Sequence, residues 1–266
     1  MCEIKDAKRI VVKVGTSTIA YDTGRMNIRK VERLVKVLAD IKNAGREVVL
    51  VSSGAIGVGV GKLGLHKRPS DMPTKQAAAA VGQCELMYTY DKLFSEYSHI
   101  VAQVLLTRDV IDHEVRRHNV ENTFRRLIEL GCIPIVNEND TVAVEEIESV
   151  ESFGDNDTLS AMVAAVCGAQ SLIILSDIDG LYTGNPRTDS SARLIERVGC
   201  VTGELRALAG GAGSCMGTGG MVTKLNAAEI AFKHDITMSI INGSQPETIY
   251  DLLEGKRAGT LFTSES

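Results

Sequence analysis

No segment of the 266-residue sequence approaches the roughly 20 consecutive apolar residues that a membrane-spanning helix needs. The start, MCEIKDAKR, mixes charges ahead of any apolar run and lacks the apolar core of a secretory signal. The mature chain is therefore expected to begin here and to be cytoplasmic. There is no long block of like charges, and 29 basic against 34 acidic side chains leave a net charge of −5 at neutral pH, a balance that suits neither nucleic acid nor an anionic membrane. C-x-x-C is absent. Cys2, Cys84, Cys132, Cys167, Cys200 and Cys215 stand singly, mostly within apolar stretches, which predicts reduced, buried thiols rather than a zinc site or a disulfide frame. No Pro/Ser/Gly-rich linker divides the chain and no internal repeat occurs, so one domain over 1–266 is expected. What is present is ordinary for a globular protein: 44% apolar, 24% charged and 4% aromatic residues.

Along the chain, short β-branched runs alternate with amphipathic stretches. Lys8 to Gly15 reads as a strand, and Ile28, Val31, Leu34, Val35, Leu38 and Ile41 recur at helical spacing before Gly45. Glu47 to Ser52 predicts a second strand, the Ala-rich run from Gln76 towards Tyr97 a long helix, and Ile100 to Leu106 a third strand. Asn119 to Leu130 follows as a helix, then a strand at Cys132 to Val136, a helix at Asn156 to Cys167 and a strand at Leu172 to Leu175. Thr183 to Val201 suits a hairpin with short connections. A helix from Met221 to Lys233, a strand at Ile236 to Ile241 and a helix near Thr248 to Leu253 complete the pattern. This alternation predicts an α/β fold, a three-layer α/β/α sandwich around a mostly parallel sheet, with ligands beyond the carboxyl ends of the strands.

Five polar or glycine-rich loops fall at such ends. In Lys13-Val-Gly-Thr-Ser-Thr18, Gly15 lets backbone N–H groups approach an anion. Lys13 is a cation within an apolar strand, expensive there unless it meets a negative group. A lysine reaching to solvent from a strand end fits equally well. Ser52-Ser53-Gly54-Ala55 offers backbone donors with a helix start behind them, suited to a carboxylate or phosphate, although a plain serine cap has the same look. The nearby Gly59-Val-Gly-Lys-Leu-Gly64 matches G-x-G-x-x-G, but no strand leads into it and no acidic residue follows at the right distance, so the match is read as chance. There is no Walker A motif, because Leu63 stands where Ser or Thr is needed.

The third and fourth loops, Asn137-Glu-Asn-Asp140 and Gly154-Asp-Asn-Asp157, are acidic-amide clusters. Each alone suits a turn or cap; together they could hold an ammonium and orient flanking lysines. Between them Glu145, Glu146, Glu148 and Glu151 lie in Val144 to Phe153 without a basic residue, most simply a solvated flap. The fifth loop, Ser214 to Lys224, puts glycines ahead of a helix with Thr218, Thr223 and Lys224 near its start, either an anion cradle or a flexible loop. Two lysines in separate phosphate-like cradles suggest phosphoryl transfer between two anionic reactants.

The blocks VVKVGTST, VSSGAIGVG, LLTR, IPIVNENDTVA, FGDNDTLSA, SDIDGLYTGNPR, GTGGMVTK and GTLF, in that order from about Ile10 to Phe262, resemble the amino acid kinase family. The NEND, GDND and GTGGM-x-TK combination is similar to its glutamate-phosphorylating branch. The resemblance implies ATP-dependent phosphorylation of the γ-carboxylate of L-glutamate to L-glutamyl 5-phosphate, the first step of proline biosynthesis. It further implies that Lys13 and Lys224 stabilise the passing phosphoryl group and that Asp157 orients both lysines. Ser53, Gly54 and Ala55 would hold glutamate, Asp140 would accept from its α-ammonium, and Asn137 and Asn156 would help position it. Lys13, Gly15, Ser176, Asp177 and the run Thr218, Gly219, Gly220, Met221, Val222, Thr223 and Lys224 would contact ATP.

Mg²⁺ is expected among the ATP phosphate oxygens rather than in a dedicated protein site. A homo-oligomer, dimer or tetramer, and transient contact with glutamyl-phosphate reductase are implied as well. Many relatives continue past GTLF into a PUA domain; this sequence stops at Ser266. Aspartate kinase and N-acetylglutamate kinase are the rival readings within the family, and a non-catalytic amino-acid sensor is the rival outside enzymes. An acidic residue at Asp140 would have no purpose toward an acetylated amine, and intact Lys13, Asp157 and Lys224 argue against a sensor.

Overall fold

The computed structural model describes residues 1–142, 156–186, 188–210 and 220–264. They form two compact units: unit 1 comprises Met1–Lys13 and Gly154–Ser266, and unit 2 comprises Val14–Phe153. The chain passes from one to the other within its first strand, β1 (Arg9–Val14), directly after Lys13.

Unit 1 contains β1, β5 (Ser171–Ser176), β6 (Arg197–Val198), β7 (Thr237–Asn242) and β8 (Thr260–Phe262), in the spatial order β1-β5-β7-β8-β6. β5 and β7 are parallel over their whole length, from Ser171 opposite Thr237 to Ser176 opposite Asn242. β8 runs antiparallel to β7 and parallel to β6. All six residues of β5 are buried. Successive side chains point to opposite faces, so helices must cover both faces of this sheet. Asn156–Cys167 (α7) and Met221–Lys233 (α9) pack on one another, α7 also meets β5 while α9 meets β7, and Gly203–Gly210 (α8) packs on α9. Tyr182 bridges Leu194 in antiparallel fashion, the short hairpin expected between Thr183 and Val201.

Unit 2 carries β2 (Glu47–Ser52), β3 (Val101–Leu106) and β4 (Ile133–Glu138) in the order β3-β4-β2, all parallel. Its helices are α1 (Thr16–Ile19), α2 (Ile28–Asn43), α3 (Ala55–Leu63), α4 (Met72–Ser95), α5 (Arg108–Asp112) and α6 (Glu114–Glu129). α2 follows its apolar spacing: Val31, Leu34, Val35, Leu38 and Ile41 are buried while Ile28 is exposed. Asn27 caps it, its side chain accepting from the Lys30 N–H at 3.2 Å. α4 starts four residues before the sequence pattern placed it, where Asp71 accepts from the Thr74 N–H at 2.9 Å and Pro73 occupies the first turn.

The glycines of the chance G-x-G-x-x-G match have packing roles. A Cβ on Gly59 would lie 1.8 Å from the Ala78 carbonyl oxygen, and one on Gly82 would lie 1.8 Å from that of Ala55, so α3 and α4 touch backbone to backbone. Gly61 meets Gly24 in the same manner, and Gly64 ends α3 in the left-handed conformation at φ +66°.

One expectation needs correction. Of the five described cysteines only Cys167 is buried; Cys84 and Cys200 are exposed, and Cys2 and Cys132 lie between. Cys84 stands on the outward face of α4 and Cys200 in a turn, positions that an apolar neighbourhood in sequence does not reveal. Cys215 is outside the described residues. Among the described residues, no helix is long and apolar enough to cross a membrane.

Candidate active site

Unit 1 gathers three charged side chains into one buried cluster. Lys13 comes from the end of β1, Asp157 from the first turn of α7 and Lys224 from the first turn of α9. Lys13 Nζ lies 2.5 Å from Asp157 Oδ1, and Lys224 Nζ donates to Asp157 Oδ2 at 3.0 Å. The three residues are 7%, 0% and 6% exposed, in the order Lys13, Asp157, Lys224. Asp157 suits the positive end of α7, whereas an ammonium at the start of α9 opposes the helix dipole and needs a counter-charge.

Burial pushes the Asp157 carboxyl up, but the charges of Lys13 and Lys224 outweigh it and hold the group below the usual carboxylate range. One carboxylate against two ammonium groups leaves the cluster net positive, an arrangement that calls for an anion. The Thr223 hydroxyl stands 3.0 Å from Asp157 Oδ2 and 2.6 Å from the Gly220 carbonyl oxygen, its one proton serving either. The Ser160 hydroxyl donates to the Asp157 carbonyl at 2.6 Å and secures that turn.

The other unit 1 candidates flank this cluster in sequence. Asn156 opens α7. Gly220 precedes α9 with extended backbone, and Met221 and Val222 begin the helix. Ser176, buried, closes β5; its carbonyl accepts from the Gly243 N–H at 2.7 Å and its hydroxyl lies 3.3 Å from Asp177 Oδ1. Asp177 itself is exposed. Thr218 and Gly219 lie outside the described residues, as do the acidic stretch Val144 to Phe153 and the first half of the Gly154 to Asp157 cluster.

Unit 2 holds the remaining candidates at strand ends. Gly15 precedes α1, and its carbonyl accepts from the Thr18 N–H at 3.1 Å. The Ser53 N–H donates to the Val14 carbonyl at 3.1 Å. Gly54 adopts φ +103°, and a Cβ there would come 2.7 Å from Ile19 Cδ1, so only glycine passes the chain from β2 into α3 without strain. Ala55 is the first residue of that helix and presents its N-terminal backbone donors. At the end of β4, the buried Asn137 donates from Nδ2 to Gln83 Oε1 at 2.8 Å and accepts from the Glu138 N–H at 2.9 Å.

Burial pushes Asp140 up to about 6, against the opposing pull of Arg68. Burial, and then the Asp140 charge, push Glu138 up to about 7. Glu138 was not singled out by the sequence, although it lies within NEND; its only signal was its place between two assigned neighbours. Gln83 and Tyr90 were also missed. The Tyr90 hydroxyl lies 2.9 Å from Ser52 Oγ, both buried, inside a helix whose alanines read as packing.

A buried cluster of two lysines on one carboxylate, at the end of a strand and the starts of two helices in unit 1, suits an anion such as a phosphoryl group. The chain belongs to the amino acid kinase family: the family model, described as the amino acid kinase family, matches residues 8–242. Its sequence is 56% identical over 262 residues to glutamate 5-kinase of Clostridium perfringens, covering 98% of this chain and 97% of that protein. Glutamate 5-kinases of Listeria innocua and Enterococcus faecalis are 54% and 51% identical, with 98% of this chain covered in both and 95% and 96% of those proteins. Among solved structures, carbamate kinase from Giardia lamblia bound to AMP-PNP superposes with a TM-score of 0.70 at 16% identity, covering 98% of this chain and 100% of that one. UMP kinase from Bacillus anthracis gives 0.66 at 14% identity, covering 98% and 97%. These two likenesses show the fold, the mostly parallel α/β architecture that the strand and helix alternation predicted.

Proposed function

We propose that this chain transfers the γ-phosphoryl group of ATP to the γ-carboxylate of L-glutamate, giving L-glutamyl 5-phosphate and ADP in the first step of proline synthesis. The observation that carries the reading is the Lys13–Asp157–Lys224 cluster, and identity of 51–56% with glutamate 5-kinases over nearly the whole chain supports the substrate. A carboxylate oxygen attacks Pγ, the bond from Pγ to the bridging oxygen breaks, and ADP leaves with that electron pair. The γ-carboxylate is ionised at neutral pH, so no general base is required. What opposes reaction is the approach of two anions, and the remedy is positioning and positive charge.

Lys13 and Lys224 neutralise charge on the transferring group while Asp157 holds both ammonium groups in place. Gly15, Ser176, Asp177 and the segment Thr218 to Lys224 contact ATP. Ser53 with the Gly54 and Ala55 backbone takes a glutamate carboxylate, Asp140 accepts from the α-ammonium, and Asn137 and Asn156 orient the amino acid. Among the described residues no group of three or more His, Cys, Asp or Glu side chains is arranged to hold a metal ion, and Asp157 is engaged by two lysines. A Mg²⁺ carried on the nucleotide fits this donor set, since the ion keeps several waters and takes few protein ligands; when bound it shields the phosphate charge.

Residues 1–266 serve as one catalytic domain, as a cytoplasmic homo-oligomer. The acyl phosphate product is prone to hydrolysis, which favours transient contact with glutamyl-phosphate reductase. The test uses purified protein with ATP, Mg²⁺ and L-glutamate, N-acetylglutamate or L-aspartate. ADP release is expected rapidly with L-glutamate alone, and hydroxylamine should trap glutamyl hydroxamate; preference for either of the other acceptors would overturn the substrate assignment.

A further inference from the structure

Gln83 and Tyr90 stand about two turns apart on α4 and so share one face of it. That face is otherwise a packing stripe: Ala79, Leu86 and Phe94 are buried along it, and Tyr90 and Phe94 place their ring centroids 6.5 Å apart. A phenylalanine would satisfy the packing at position 90 as well as a tyrosine, and a buried hydroxyl is costly unless it is hydrogen-bonded. Both polar side chains end on the loops that carry the candidate amino-acid contacts.

The Tyr90 link runs through Ser52: the tyrosine hydroxyl lies 2.9 Å from Ser52 Oγ, either of the two being able to donate, and Ser52 Oγ also stands 3.2 Å from the Ser53 carbonyl. Burial pushes the phenol up to about 12, which keeps the proton on the tyrosine. Ser53 is contacted at both ends of its peptide frame: its N–H donates to the Val14 carbonyl, and its carbonyl faces the Ser52 hydroxyl that meets Tyr90. On the neighbouring strand Gln83 Oε1 takes the Asn137 Nδ2 proton at 2.8 Å and fixes which way that buried amide faces. The Gly82 contact adds a third point, pressing α4 against the Ala55 carbonyl at the start of α3.

We propose that Gln83 and Tyr90 are positioning residues for the amino-acid substrate, through which α4 sets the orientation of the Ser53 and Asn137 loops. The inference rests on the reading that these loops bind L-glutamate. Neither side chain touches the substrate; each acts through a residue that does.

The test is steady-state kinetics on the full chain with Tyr90→Phe, Gln83→Met, Ser52→Ala and the double variant Tyr90→Phe/Ser52→Ala. Loss of one such bond should raise KM for L-glutamate about three- to tenfold, with kcat and KM for ATP within about twofold of wild type. Because Tyr90 works through Ser52, the double variant should be no worse than Ser52→Ala alone. Unchanged KM for glutamate in the folded variants, or a fall in kcat with KM constant, would reduce these contacts to packing and overturn the inference. Should Tyr90→Phe fail to fold by circular dichroism, Gln83→Met decides independently. A wild-type protein that does not turn over L-glutamate would instead overturn the functional reading.

Discussion

Asp157 Oδ1 sits 2.5 Å from Lys13 Nζ, and the carboxylate that makes this contact has no exposed surface. Lys224 takes the other oxygen, so a single side chain from α7 holds two cations drawn from β1 and α9. An ion pair this deep is poor evidence for stability, since desolvation consumes most of the Coulombic gain. What it does is fix the positions of two ammonium groups on one carboxylate.

Asp157→Asn should therefore harm both stability and turnover. Breaking a buried pair by removing one partner costs about 3–5 kcal/mol, here because two buried ammonium groups lose the carboxylate that they share. A thermal melt and kcat at saturating substrates measure the two effects. The folded-state pKa of Asp157 lies below its ordinary value, so its stabilisation is present above the unfolded value near 3.8 and is lost as pH falls through the folded one. Acid titration of wild type and variant should converge at the low end of that window.

Lys224→Ala should lower kcat by about 10²–10³, the range seen when one donor to a developing charge is removed. Circular dichroism should be unchanged. Turnover within tenfold of wild type would remove Lys224 from the transfer step.

Glu138 and Asp140 bring a pH dependence. Both carboxyls are pushed up, to about 7 and about 6, so KM for L-glutamate should fall as pH rises from 5.5 to 8 and the pair ionises to receive the α-ammonium. Stability runs the opposite way in the unliganded protein. A folded pKa above the unfolded 4.5 means that the native state holds the extra proton, so stability declines from about pH 4.5 to about 7. Glu138→Gln should flatten that decline in thermal midpoint and weaken glutamate binding at pH 8.

The glycine contacts separate space from backbone conformation. Gly82→Ala forces a Cβ to 1.8 Å from the Ala55 carbonyl oxygen, so α3 and α4 must part; a loss of about 3 kcal/mol or more is expected. Gly64→Ala meets nothing within 4 Å and bears only its φ of +66°, for a loss of about 1 kcal/mol. Denaturant midpoints measure the pair.

Much of the fold was legible in local pattern. The expected bounds of β2, α7, α9 and the helix Thr248–Leu253 coincide with those observed, because each is long or periodic enough to declare its type. Others were not: α1, the helix Arg108–Asp112 and β8 have too few residues to show a period, and the helix Gly203–Gly210 begins and ends on glycine, which reads as loop. β8 also pairs antiparallel with β7, a choice made by the sheet edge and not by the three residues of the strand. Sequence also placed every described candidate at an element end, yet it gave Gln83 no role, since a glutamine on an Ala-rich helix looks like surface.

By itself, then, the order of residues determined the α/β alternation, the strand-end loops and a lysine embedded in an apolar strand, because periodicity and charge are local properties of the chain. Tertiary structure decided that Lys13 and Lys224 share one carboxylate, that Glu138 and Asp140 crowd each other, and that the Tyr90 hydroxyl meets Ser52 Oγ. Each of these joins residues from separate elements or depends on burial, and both desolvation and hydrogen-bond partnership exist only once the elements have packed.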